Sequence, residues 1–435
     1  MKTHSIIGRC VALAFLFGAT TAAQAQLVIS KKPTSNMTCT PGQCSATASQ
    51  AVLNVKDLKK LIQHGDLQIF DGSARGIEVQ AAIYWTKGHK LTLNATPIYI
   101  AAPIRVEGRG DLTFTTLDFL SGPALSFSSK GSVTFLDMRS SLVINNLPFK
   151  IEPNLQSMIA DIQADDSEGF YALNNDDDAS AYGTFSQSPI GGVFDGEING
   201  MGHTISNLRI NSTSGQDYVG LIRQMGLGHS VRNLNLTNID IQSGGGSCVG
   251  ALLGDNLGNL VYDFVSGNVS ASKALATGGA AGCNYGYVFD VFASDAVSGN
   301  IAGGLVGDEE AFITESMASG SVTAQTGPNH PAAGGLIGES NQGIVQTSYS
   351  FGKVSGTGDL GGSVGDAFQG TYTDVYWDTT TSGTTQGCQD SCSGVTGLTT
   401  TQLQSGLPAG FDPASWAESH KIENGLPYLL GAVPR

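Results

Sequence analysis

An internal repeat constrains this chain more than any other feature. Tyr218-Val219-Gly220-Leu221-Ile222, Val249-Gly250-Ala251-Leu252-Leu253-Gly254, Gly278-Gly279-Ala280-Ala281-Gly282, Gly303-Gly304-Leu305-Val306-Gly307, Gly334-Gly335-Leu336-Ile337-Gly338 and Gly361-Gly362-Ser363-Val364-Gly365 are copies of one motif, standing about 25–31 residues apart. A second block follows each copy and aligns in columns: Leu260, Val288, Ile313 and Val345; then Phe264, Phe292, Met317 and Tyr349; then Val269, Val297, Val322 and Val354. A short strand with two or three apolar side chains cannot bury them alone, whereas stacked identical coils place like on like and make one continuous core. Density of Gly (58 of 435 residues) and the β-branched residues disfavour a helical repeat. The expectation is therefore an all-β solenoid, with the aromatic column inside it. Gly220, Gly250, Gly279, Gly304, Gly335 and Gly362 are expected at corners, where positive φ lets the chain turn tightly.

Outside the repeats the pattern changes. Residues 1–25 run from Lys2 and Arg9 through an apolar stretch to Ala23-Gln24-Ala25, the pattern of a secretory signal peptide cleaved before Gln26. That stretch is too short to span a bilayer, and no later window supplies a span. Residues 26–50 are a Cys-containing leader. Residues 51–145 open with helical spacing from Val52 to Gln63, expected as a short capping helix, and continue with period-two strands such as Leu67-Gln68-Ile69 and Lys90-Leu91-Thr92-Leu93. A helical, acidic linker at 146–184 carries Leu155, Met158, Ile159 and Ile162 at helical spacing, one bridging helix from Pro153 to Asp166. The repeats occupy 185–385. The tail at 386–435, with Leu407, Phe411, Trp416 and Leu426 to Leu430, is expected to cover the last rung.

The formal net charge is −15. Such a surface repels phosphate backbones, which argues against nucleic acid as a partner. Cys39, Cys44, Cys248, Cys283, Cys388 and Cys392 remain after the signal, an even number suited to disulfides in an oxidising compartment. Close spacing pairs Cys39 with Cys44 and Cys388 with Cys392, leaving Cys248 for Cys283.

At these residues the chain resembles a known family. The repeats resemble the GLUG motif, and Phe194-Asp195-Gly196 through Gly202-His203-Thr204-Ile205-Ser206-Asn207-Leu208 resembles the block that commonly precedes it. Val79 to Leu93 and Gly425-Leu426-Pro427-Tyr428 resemble parts of filamentous-haemagglutinin-like surface proteins. The resemblance implies a right-handed parallel β-helix displayed at the cell surface or secreted, adhesin-like in role, binding glycans, matrix proteins or other cells.

Three groups of residues invite a chemical reading. Arg109-Gly110-Asp111 matches a tripeptide that integrins read, in an expected turn between strands. Asp176, Asp177 and Asp178 lie in the densest acidic region, where oxygen ligands in loops would suit Ca²⁺; no other cofactor is indicated. Ser363 fits a nucleophile-elbow pattern but falls in the apolar column of Leu305 and Leu336. A polysaccharide lyase or hydrolase is the enzyme alternative, since such enzymes share the β-helix. It needs carboxylates clustered on one face, whereas the charged residues of the repeats are expected not to recur in a column.

Overall fold

The computed structural model describes residues 26–71, 76–116, 124–165, 167–213, 217–389 and 392–432; the expected signal peptide, and Asp166 of the acidic region, lie outside them. The chain is all-β, with three short α-helices among the described residues, and forms a parallel β-solenoid in two stacks, each with its own core. Among the described residues no helix is long and apolar enough to cross a membrane.

In the first stack, apolar residues alternate with polar ones, so every second side chain points inward. Leu67, Leu91, Leu112 and Leu142 lie in register on successive coils, as do Ile83, Ile104 and Val133. The stack begins earlier than expected. Leu27–Ser30 sits between Ala51–Asn54 and Ile77–Val79 in one sheet, so the Cys-containing leader is itself part of the first coils. Helix α1 (Val55–Ile62), capped by the Asn54 side chain, buries Val55, Leu58 and Ile62 against the open end.

The two stacks join through one reversal. Leu142–Ile144 pairs antiparallel with Leu147–Glu152, which pairs parallel with Glu168–Leu173. Phe149 and Ala172 belong to the first core, while Tyr171 and Leu173 belong to the second. One ribbon therefore serves opposite cores with its opposite faces. Helix α2 (Leu155–Ala164) is shorter than the expected bridging helix and does different work: Leu155, Met158 and Ile162 close the end of the repeat core.

The repeat stack has three faces. Its first face comprises Ile222–Met225, Leu253–Asn256, Ala281–Asn284, Val306–Glu309, Ile337–Asn341 and Val364–Phe368. Its second comprises Ser230–Arg232, Asn259–Val261, Tyr287–Phe289, Phe312–Thr314, Ile344–Gln346 and Thr371–Thr373. The third is a long sheet from Asp177–Asp178 to Val395–Leu398.

Register on the third face corrects the glycine assignment. Gly278, Gly303, Gly334 and Gly361 share one column. By chain order Gly220 and Gly250 fall with them, whereas Gly279, Gly304, Gly335 and Gly362 fall one residue later, beside Leu221 and Ala251. None of these has positive φ. Glycine is required because the third face meets the first across a sharp arc: a Cβ on Gly303 would lie 2.5 Å from the Gly338 nitrogen, and one on Gly334 would lie 2.5 Å from that of Gly365. The spacing from Gly303 to Gly307 places one bare backbone on each limb. Left-handed corners fall instead on Asn233, Tyr262, Asp290, Glu315, Thr347 and Asp374, one in each coil.

The aromatic column is real but lies outside. Phe264, Phe292, Met317, Tyr349 and Tyr376 pair in register on the third face. The residues that follow them, Val265, Ala293 and Ala318, enter the core. The tail does both: Val395–Leu398 pairs with Val375–Asp378 and Cys388 closes onto the repeat core as expected, while the residues beyond cover this outward column. Leu403, Phe411, Trp416, Leu426, Leu429 and Ala432 pack against it, Tyr376 donates a hydrogen bond to the Ala409 carbonyl at 2.9 Å, and Tyr349 donates to that of Pro427. The tail is thus a strap along the flank.

Candidate functional site

Cys39–Cys44, Cys248–Cys283 and Cys388–Cys392 form the three expected disulfides. The first closes a hairpin, and the second ties the arc of one coil to the first face of the next.

The tripeptide forms part of a coil corner. Arg109 is exposed, but Gly110 is buried against the Trp85 indole, and Asp111 accepts the Ser141 N–H at 2.9 Å from the next coil. The three consecutive aspartates do not converge. Asp176 accepts the Thr204 N–H at 3.0 Å and faces His203 at 3.2 Å. Asp177 caps helix α2 through the Leu155 N–H at 2.8 Å, and Asp178 accepts from Ser180 and Asn207. Among the described residues no three His, Cys, Asp or Glu side chains are placed to hold a metal ion. Ser363 is fully buried.

The first face corrects the expectation for the charged residues. Gln224, Asp255, Cys283, Asp308, Glu339 and Asp366 share one register column. Charged residues do recur in a column, with the disulfide cysteine between Asp255 and the other carboxylates. Each member from Asp255 onward directly follows the last Gly of its motif copy, as in Gly307-Asp308, Gly338-Glu339 and Gly365-Asp366, so the repeat itself sets the column. The next residues turn inward as a polar ladder: Asn256 donates to Asn284 at 2.6 Å and Asn284 to Glu309 at 2.8 Å, while Glu309 also accepts the Ala311 N–H at 2.9 Å. All three are fully buried.

Electrostatics follow from crowding. Burial, then Glu339 and Glu310, push Asp308 up to about 7. Burial, then Asp366 and Glu310, raise Glu339. Burial raises Asp255, opposed by the hydrogen bond from Gln224 and by Arg223. Burial drives Glu309 to about 8, although the Asn284 and Ala311 donors pull the other way. Tyr285 stands at the corner between the first and second faces, raised to about 12 by burial and then by Asp308, Glu310 and Asp255.

Beyond that corner the outward side of the second face is aromatic. Tyr287, Phe312 and Ile344 share a column, and the Tyr287 ring lies 6.4 Å from that of Phe312 and 6.2 Å from that of Phe289. Tyr285, Phe312 and Phe368 are 46%, 47% and 55% exposed. The sequence reading reached Ile313 but not its outward neighbour Phe312. Near Phe368 lies a depression of ≈ 380 Å³ lined by Ala367, Gly370, Thr371, Tyr372 and Cys392.

No family model matches the chain. Curated proteins that resemble it include halomucin of Haloquadratum walsbyi, 32% identical over 303 residues, which is 60% of this chain and 3% of halomucin. A protein of Evansella cellulosilytica, provisionally named a Gly-rich membrane protein, is 42% identical over 107 residues, 23% of this chain and 12% of that one. The chain spans a small part of the length of each. Among solved structures, a Bacteroides ovatus chain provisionally described as an immunoglobulin A1 protease superposes with a TM-score of 0.51 at 21% identity, over 66% of this chain and 93% of that one. At that identity the likeness is one of fold, and the chain is a parallel β-solenoid repeat protein.

Proposed function

We propose that this chain is an exported protein of the cell surface or extracellular space that binds through an extended solenoid face, as adhesins do, to a glycan, a matrix protein or another cell. One observation carries it. The repeats hold in rigid register an outward row of carboxylates beside exposed aromatic rings, and residues 185–385 supply 17 Asp+Glu against 5 Lys+Arg. Ordered, unpaired chemistry at a regular spacing is what recognition of an extended ligand requires. Three disulfides favour an oxidising compartment. Sequence of this kind within the far longer halomucin favours a displayed segment of a modular surface.

The test is a glycan and matrix-protein array probed with the purified chain, alongside Asp308→Asn and Glu339→Gln. Binding that weakens in both variants supports the proposal; an array with no bound feature sinks it. Asp308 favours a second reading, that of a carbohydrate-active enzyme. A carboxyl near neutrality beside Glu339 of the next coil would supply an acid–base pair. New reducing ends from a polysaccharide, abolished by Asp308→Asn, would select that reading.

A further inference from the structure

We propose that the carboxylate row and the adjoining aromatic column together form a binding site for a polysaccharide of β-linked amino sugars, lying across the coils with its ammonium groups on the carboxylates and its rings on Tyr285 and Phe312. This rests on the surface-binding reading above and names its ligand.

Exposed aromatic rings offer their faces to the C–H side of a pyranose ring, and the same faces attract a cation. Phe312 and Tyr285 are each about half exposed, and Tyr285 stands where the aromatic column meets the acids. The acids choose the charge of the ligand. Asp308, Glu339 and Asp366 occupy successive coils, about 4.8 Å apart along the stack, and none of them is in an ion pair with Lys or Arg among the described residues. Their mutual repulsion is relieved by an incoming cation. At the head of the row Asp255 is 2% exposed; one of its carboxylate oxygens accepts from Gln224 at 2.8 Å, and the other, Oδ1, accepts from no donor. A buried carboxylate oxygen without a donor is costly unless a ligand supplies one. A β-1,4-linked pyranose advances by close to one coil spacing and turns over at each link, so alternate sugars can present their ammonium groups to alternate carboxylates such as Asp308 and Asp366. Glycans rich in uronate or sulfate would be repelled by the same row.

Isothermal titration of the full chain should compare three oligomers: β-1,4-linked glucosamine, the same oligomer N-acetylated, and oligogalacturonate. The glucosamine oligomer is expected to bind and to weaken with added salt, its N-acetylated form to bind about tenfold less tightly, and the uronate not to bind. Phe312→Ala and Glu339→Gln should each weaken glucosamine binding about tenfold with unchanged thermal unfolding. Equal affinity for the uronate would overturn the proposal, as would glucosamine binding indifferent to both substitutions. Poly-lysine binding as tightly, and unmoved by Phe312→Ala, would also overturn it by reducing the site to charge alone. Matrix-protein binding without glucosamine binding overturns this inference and leaves the adhesive reading standing; absence of both overturns the two together.

Discussion

The two stacks solve one problem with different materials. In the first, inward columns are filled with branched apolar residues, as with Leu67, Leu91, Leu112 and Leu142, and residues 26–145 carry 12 Lys+Arg against 8 Asp+Glu. In the second, one inward column runs Phe194, Met225, Asn256, Asn284, Glu309 and Ser340, and two glycine columns bring backbone against backbone across the arc. Stability in the first therefore depends on filled volume. In the second it depends on close backbone approach and on a satisfied polar ladder, which leaves the outward positions free to specialise.

That contrast can be broken most severely at the arc. Gly334→Val puts a side chain 2.5 Å from the Gly365 nitrogen and should cost on the order of 4 kcal/mol or more. Urea unfolding should show the loss in the repeat stack while the first stack, followed by the buried Trp85, keeps its own midpoint; a shared midpoint would mean that the stacks unfold as one. Trp416→Ala removes the centre of the strap, whose ring lies 4.2 Å from that of Phe411, and should cost about 3–5 kcal/mol. Limited proteolysis should then cut within 399–432 first. Leu91→Ala in the first stack should cost about 2–5 kcal/mol, the ordinary value for a cavity in a dry core.

Glu309 offers a finer test. Its carboxyl is raised from an ordinary 4.5 to about 8, so the folded chain holds a proton that the unfolded chain releases. Stability from this group is full below about 4.5 and falls as pH rises toward 8, by a few kcal/mol in all. Glu309→Gln should flatten thermal stability across that window, and an unchanged slope would mean that the ladder does not hold the proton. The smallest effect is expected at Arg109→Ala: a stability change within about 0.5 kcal/mol, as for an exposed side chain without a buried partner. Undiminished attachment of integrin-bearing cells to this variant would set the tripeptide aside as a corner of the coil.

The stacking and the disulfide partners were legible in the sequence because both depend on local repetition. Leu260, Val288, Ile313 and Val345 align by eye and do pair in register. Facing was harder to read. Phe264 and Val265 are adjacent, and hydrophobicity alone does not say which of the two enters the core when a strap covers the other. The carboxylate row was legible as well, since Asp255, Asp308, Glu339 and Asp366 each follow the last Gly of a motif copy, with Cys283 breaking the run of charge. Glycine misled by its reputation for positive φ, whereas here the close approach of two backbones selects it, and Asn, Asp, Glu, Thr and Tyr take the left-handed corners.

A stack of coils is ordinarily quasi-one-dimensional: each rung feels only its neighbours, and the free end can fray one turn at a time. The strap changes that arithmetic here. Because a single segment touches Phe264, Phe292, Met317, Tyr349 and Tyr376, loss of the last coil loosens cover over the four before it. A pull on the carboxy end should therefore meet one concerted event rather than a series of small steps.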